Sequence, residues 1–211
     1  MTEPIRRTSP LADWSSRFSA ASATPSDFSI RAVSFASQVN VRGDSADAAF
    51  CGKLHAMLGC EFPTAPNTWN SGNDCSAIWL GPDEWLVVAP DGRSEQLCSA
   101  LRSALGGLHH SVTDVSANRT LIEISGEDAR LVLAKGCPLD LHGSAFGPPQ
   151  AAQTLLAKAQ MVLQCVDARP TFRVFVRNSF APYVAEWLLD AAAELGASRG
   201  IDTRRIASRL A

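Results

Sequence analysis

One order of secondary-structure signals occurs twice along this chain of 211 residues: a strand, a helix, a β-hairpin and a second helix. In the first copy, a run rich in Ile, Val and Phe over 28–41 predicts a strand. Asp44 or Ser45 then caps a predicted helix that ends near Gly59 and buries Phe50, Leu54, Met57 and Leu58. The remaining signals of this copy predict a hairpin that turns at Gly81-Pro82-Asp83 and a helix that buries Leu97, Leu101 and Leu105.

The second copy begins with a predicted strand over 120–124. Ser125 and Asp128 have the spacing of a capping box, in which each side chain satisfies a free backbone amide at the start of a helix, and this helix ends at Gly136. The other predicted elements are a strand pair within 154–166, an alternating strand at 172–177, and a helix that starts at Ser179 and Pro182 and ends before Gly196.

This repeated order predicts an α+β fold. Helices that follow antiparallel strands pack on one face of the sheet, and two such units bury their free faces against each other or against a neighbouring subunit. We therefore expect one domain over 28–196, made of two pseudo-repeats, 28–113 and 114–196. Residues 1–27 are rich in Ser, Ala, Thr and Pro and predict a flexible N-terminal arm. The tail 197–211 is basic, with Arg199, Arg204, Arg205 and Arg209, and predicts a short amphipathic helix.

Charge and composition exclude several classes of protein. A net charge of -2 leaves no basic excess to hold a phosphate backbone, so no nucleic acid partner is expected. No apolar run approaches the roughly 18–20 residues that cross a membrane. The six cysteines are spread along the chain without a close pair, which favours buried thiols over a metal site or disulfides. These features predict a cytoplasmic protein.

The sequence lacks the residue patterns of a self-sufficient enzyme. Its four histidines form no His-x-x-x-His pair, and no Gly-x-Ser-x-Gly, Gly-x-Gly-x-x-Gly or Walker pattern is present. We therefore predict no catalytic, cofactor-binding or metal-binding residue in this chain. Asp140 is the most interesting carboxylate, because it follows a helix in an irregular segment where a side chain can reach a ligand; a turn-forming role is favoured.

Large apolar side chains on polar segments predict contacts with a partner. In the arm, the spacing of Leu11, Trp14 and Phe18 places them along one side of a short helix. Phe62 and Trp69 lie in a loop rich in Pro and Asn. Aromatic residues of this kind often mark interface hot spots, so all five are candidate interface residues. The alternative for the arm, packing back on its own domain, stays equally open.

Several strings in this order resemble one family. They are Gly81-Pro82-Asp83-Glu84-Trp85-Leu86-Val87, Asp114-Val115-Ser116, Leu121-Ile122-Glu123-Ile124-Ser125-Gly126-Glu127-Asp128-Ala129, Leu133, Leu139-Asp140, Arg173-Val174-Phe175-Val176 and Trp187-Leu188. Together they are similar to the folate-binding fold of aminomethyltransferases and, more narrowly, to the gamma subunit of heterotetrameric sarcosine oxidase. The resemblance covers about residues 28–195.

This resemblance implies a structural gamma subunit in a complex that demethylates sarcosine to glycine, with tetrahydrofolate accepting the one-carbon unit or formaldehyde released. It implies alpha, beta and delta subunits as partners, chiefly alpha, and places FAD, FMN, NAD, tetrahydrofolate and zinc in those partners. The transferases carry an Asn-Asp pair where this chain has Leu139-Asp140, and their C-terminal barrel is not expected here.

A free-standing folate-binding protein is the alternative, either a transferase or an iron-sulfur repair factor of the same fold. Lys135-Gly136-Cys137 resembles the start of the repair factors' Lys-Gly-Cys-Tyr-x-Gly-Gln-Glu signature, but Pro138 replaces the Tyr and no Gly-Gln-Glu follows. Under this alternative Asp140 would be the cofactor-binding residue.

Overall fold

The computed structural model describes residues 7–22, 28–33 and 35–199. The helices in this part of the chain are α1 (Ser15–Ala21), α2 (Ala48–Leu58), α3 (Ser94–Ala104), α4 (Ala129–Ala134) and α5 (Ala181–Arg199), with a 3-10 turn at Asn178–Phe180. The strands are β1 (Ser29–Val33), β2 (Ala36–Gly43), β3 (Trp69–Gly72), β4 (Cys75–Gly81), β5 (Glu84–Pro90), β6 (His110–Asp114), β7 (Arg119–Ser125), β8 (Ala151–Leu156), β9 (Ala159–Asp167) and β10 (Thr171–Arg177).

These strands form two open, five-stranded antiparallel sheets within the described residues. The first sheet has the order β3-β4-β5-β2-β6, and the second has the order β8-β9-β10-β7-β1. The two orders correspond strand by strand, with β6 and β1 as equivalent edges. The predicted α+β class with a repeated sheet-and-helix plan is therefore confirmed.

Four layers result, because each sheet has helices on its outer face. Helices α2 and α3 pack on the first sheet around Phe50, Leu54 and Leu101. Helices α1, α4 and α5 pack on the second sheet, where Val132 and Leu188 are fully buried. Between the sheets lies a third apolar cluster, formed by Ile78, Leu80, Leu86 and Val88 from the first sheet and Leu121, Ala151, Val162 and Phe175 from the second.

The β-rich run 28–41 is not one strand. It divides into β1 and β2, and the two lie in different sheets: Ile30 is paired with Ile124 of β7, whereas Val39 is paired with Val87 of β5. Residues 29–33 thus complete the second sheet although they precede the first in sequence. The apolar pattern could not reveal this crossing, because both strands have one face on a helix layer and read alike.

Three helix ends differ from the sequence prediction. Asp47, and not Asp44 or Ser45, caps α2, since its side chain accepts hydrogen bonds from the amides of Ala49 and Phe50 at 2.8 and 3.4 Å. The capping box at Ser125 and Asp128 is wrong, because Ser125 is the last residue of β7, and the Asp128 side chain makes no capping hydrogen bond. Helix α5 continues through Gly196 to Arg199, so the described start of the basic tail belongs to that helix.

Candidate functional site

The histidines are dispersed over the surface of the described chain. His55 and His109 are exposed, while His110 Nδ1 lies 2.9 Å from the carbonyl oxygen of Leu108. Within residues 7–22, 28–33 and 35–199, no group of three or more His, Cys, Asp or Glu side chains is arranged to hold a metal ion.

The loop after α4 brings Asp140, His142 and Ser144 together, three residue types that also form hydrolase triads. His142 Nδ1 lies 2.7 Å from Ser144 Oγ, but Asp140 Oδ1 accepts its hydrogen bond from the His142 backbone amide, at 2.9 Å. In a triad the carboxylate contacts the imidazole and fixes its tautomer. Asp140 is exposed and closes a turn, the structural role that the sequence favoured for it.

Arg130 anchors the same loop from α4. Its Nη1 donates hydrogen bonds to the carbonyl oxygens of Leu141 and Phe146, the latter at 2.8 Å, and its guanidinium lies 5.1 Å from the ring centre of Phe172. The guanidinium of Arg130 thus ties two points of the loop, Leu141 and Phe146, to α4.

A cavity of about 230 Å³ lies where residues 7–10 cross the start of β2 and the turn between β6 and β7. The described residues of its wall include Gln38, Ser116 and Arg119, and none of them is a histidine. The Ser116 hydroxyl donates to Asp114 Oδ1 at 2.5 Å. Although burial raises the pKa of Asp114, the hydrogen bonds from Ser116 and Ser94 and the charge of Arg7 together lower it more. This carboxylate is therefore held ionised as a turn cap and is a poor base.

The layer between the sheets contains polar side chains at its margin. Glu123, 13% exposed, accepts from Arg173 Nε at 3.1 Å and also pairs with Arg31. Gln164 is fully buried, and neither its Nε2 nor its Oε1 has a hydrogen-bond partner among the described residues. Gln38 donates from Nε2 to the carbonyl oxygen of Arg119 at 2.9 Å and so ties one sheet to the other.

The three candidate interface residues of the arm pack on their own chain to different degrees. Leu11 and Phe18 are each 2% exposed and belong to the core under the second sheet. Trp14 is half-buried, with the Arg17 guanidinium 4.3 Å from its ring centre, and Arg17 also pairs with Glu186 of α5 at 2.8 Å. The arm thus docks on its own domain, the alternative that the sequence left open.

The two loop candidates also contact their own chain. Phe62 is 4% exposed in the core of the first sheet. Trp69 is half-buried and donates from Nε1 to the carbonyl oxygen of Cys165 at 2.9 Å, which joins the edge strand β3 of the first sheet to β9 of the second. The sequence of this loop, rich in Pro and Asn, could not predict that Phe62 and Trp69 pack on their own chain, because their packing partners are distant in sequence.

The cysteines remain free thiols. Cys60, Cys98, Cys137 and Cys165 are buried, and Cys51 and Cys75 are half-buried. Burial is the main cause that raises the pKa of five of these thiols, those of Cys51, Cys60, Cys75, Cys98 and Cys165. A raised pKa suppresses the thiolate, which is the nucleophilic form.

Comparison with known proteins identifies the family to which this chain belongs. The model of the sarcosine oxidase, gamma subunit family matches residues 42–194. The chain belongs to the sarcosine oxidase gamma subunit family. A relative in this family, sarcosine oxidase subunit gamma of an Arthrobacter species, is 39% identical over 166 residues, which span 78% of this chain and 80% of the relative. The resemblance to the gamma subunit family that the sequence suggested is thereby confirmed.

Solved structures agree with the family. The heterotetrameric sarcosine oxidase from Corynebacterium sp. U-96, in complex with pyrrole 2-carboxylate, contains a chain that matches with a TM-score of 0.79 and 33% identity, over 89% of this chain and 95% of that one. The glycine cleavage system aminomethyltransferase T from Bartonella henselae matches with a TM-score of 0.62 and 16% identity, over 82% of this chain and 48% of that one. The second likeness shows the shared fold.

None of the helices described for this gamma-family chain is both long enough and apolar enough to span a lipid bilayer.

Proposed function

We propose that this chain is the structural gamma subunit of a heterotetrameric sarcosine oxidase and supplies no catalytic residue of its own. The observation that carries the proposal is the match to a chain of the heterotetrameric enzyme over 95% of that chain's length. The described polar groups support it, since Asp140, His142, Ser116 and Glu123 are engaged in turns and ion pairs.

The complex would oxidise sarcosine to glycine, with the one-carbon unit passed to tetrahydrofolate or released as formaldehyde. Its partners would be the alpha, beta and delta subunits, with alpha as the main contact, and these would hold FAD, FMN, NAD, tetrahydrofolate and zinc. The complex would work in the cytoplasm, where six free thiols are stable.

Contacts with the partners are proposed at the two half-buried indoles. Leu11, Phe18 and Phe62 are buried in their own chain and have little surface to offer. Trp14, at the N-cap of α1, and Trp69, at the edge of the first sheet, are both only half-buried. Partly exposed tryptophans on rigid elements are typical interface anchors.

Co-expression of the four subunits tests the proposal. We expect an affinity tag on this chain to recover the other three, and we expect sarcosine oxidation by the purified complex and none by this chain alone. Asp140→Ala and His142→Ala should leave kcat of the complex unchanged. Turnover by the isolated chain, or a large loss of kcat in either variant, contradicts a purely structural role. Failure to recover partners contradicts membership of the complex.

A further inference from the structure

One row of side chains on the inner face of the second sheet extends beyond the first sheet. Cross-strand pairs join Arg119 to Arg177 and Leu155 to Gln160. Because Val176 is paired with Met161, Arg177 also lies beside Gln160. We call this the open row; across β7, β10, β9 and β8 it consists of Arg119, Arg177, Gln160 and Leu155.

The adjacent row of inward-facing side chains, on the same four strands, is the last one that the first sheet covers. Val162 and Phe175 are 3% and 1% exposed beneath the first sheet, and Gln153 in the same row donates to the carbonyl oxygen of Leu80 at 2.6 Å. One step further along the strands, Leu155 is 43% exposed. A space of about 350 Å³ lies over the open row. The inner face of a sheet is ordinarily covered, whereas this strip has no cover among the residues that the structure describes.

The two arginines of the open row have no acid of their own. Among the described residues, neither guanidinium makes an ion pair or a side-chain hydrogen bond. The acid whose charge acts on Arg119 is Glu84, but its Oε1 accepts from Asn40 at 2.7 Å. Burial lowers the pKa of Arg119, and the charge of Arg177 lowers it further. Like charges opposite each other in a sheet are destabilising, so the free chain gains if an anion is placed between them.

We propose that the open row docks an acidic segment of a partner subunit. A carboxylate of that segment would lie between the guanidiniums of Arg119 and Arg177, and an apolar side chain beside it would cover Leu155. The charges argue for this occupant, because the guanidinium fork matches a carboxylate in two parallel hydrogen bonds and arginine is enriched in interface cores. The inference rests on the proposed function, since it requires the partner subunits.

The test compares full-length variants in the co-expressed complex. Arg119→Ala/Arg177→Ala should reduce the recovered partners at least about tenfold at 0.15 M salt, because each lost charged contact weakens the docking. Arg169→Ala, an exposed arginine at the other end of the β9–β10 hairpin, is the matched control and should recover the complex fully. Arg119→Lys/Arg177→Lys should give an intermediate yield, because charge remains while the paired hydrogen bonds are lost.

A melting temperature separates docking from folding. Purified alone, the double alanine variant should melt at or above the temperature of the unmodified chain, since a like-charge pair is removed. Full recovery of partners by that variant overturns the inference while leaving the proposed function intact; no recovery by the unmodified chain overturns both. Self-association of the chain, abolished by the double variant while the complex persists, would assign the open row to a second copy and also overturn it.

Discussion

Trp85 and Phe62 pack ring against ring, with their centroids 4.7 Å apart and their planes tilted by 47°. Trp85 is fully buried and donates from Nε1 to the carbonyl oxygen of Pro63 at 2.6 Å, and Phe50 completes the cluster 5.8 Å from the indole. The loop after α2 is thereby fixed to β5 at two successive residues. An aromatic side chain in a polar loop therefore serves the core of the first sheet.

Phe62→Ala should lower the free energy of unfolding by about 3–5 kcal/mol, because a buried aromatic side chain leaves a cavity against Trp85 and Phe50. Urea unfolding of the full chain measures this. Phe180→Ala is the control, since that ring is 43% exposed and its loss should cost less than about 0.5 kcal/mol. Equal stability of Phe62→Ala and the unmodified chain, together with reduced recovery of partners, would return Phe62 to the interface.

Glu123→Gln should destabilise the chain by about 1–2 kcal/mol, because a carboxylate that is 13% exposed is shared by Arg31 and Arg173, and the amide cannot balance two guanidiniums. Glu127→Gln is the control, because Glu127 is exposed and lies in the turn that follows β7. The difference between the two variants should shrink in 1 M salt, where charges are screened within about 3 Å. A difference that is the same at both salt concentrations would argue against an ion-pair origin.

Gln164→Met should raise the free energy of unfolding by about 1–2 kcal/mol. The side chain is fully buried, and its amide atoms find no partner within the described chain, so a polar group is desolvated without compensation. Gln160→Met, on the same face of the same strand but exposed, should change stability by less than about 0.5 kcal/mol. Thermal unfolding of both variants decides the matter; a lower melting temperature for Gln164→Met would show that the amide is satisfied.

Local patterns in the sequence are sufficient for most of the elements but not for their assembly. The hairpin at Gly81-Pro82-Asp83 forms as β4 and β5, because turn chemistry and strand pairing lie within one short segment. The short strand β3 is missed, since its residues Trp69–Gly72 carry no apolar alternation and are fixed by pairing with β4. The assignment of β1 to the second sheet depends on Ile124, which is far along the chain.

The candidate site shows the same division. Asp140 was favoured as a turn residue from its place after a helix, and the bond to the His142 amide shows this role. The open row could not be found from sequence, because Arg119 and Arg177 become neighbours only through the register of β7 and β10. Without that register, the sequence indicates only two unrelated surface arginines.

Stability should fall as the pH rises above about 8.5, the pKa of an unperturbed thiol. Burial raises the pKa of Cys98 and Cys165 in the folded chain, so between the unfolded and folded values the native state binds more protons than the unfolded state. The free energy of unfolding then decreases with pH in that window and is unaffected by these groups below it.

Urea unfolding at pH 7.5, 8.5 and 9.5 in a reducing buffer measures the slope with pH. Cys98→Ala/Cys165→Ala should flatten it, because two thiols that resist ionisation in the folded state are removed, whereas the exposed Ser103→Ala should keep the original slope. If the free energy of unfolding of the double variant falls with pH as steeply as that of the unmodified chain, burial of these thiols does not cause the loss of stability at alkaline pH. Lysine or tyrosine side chains would then cause it.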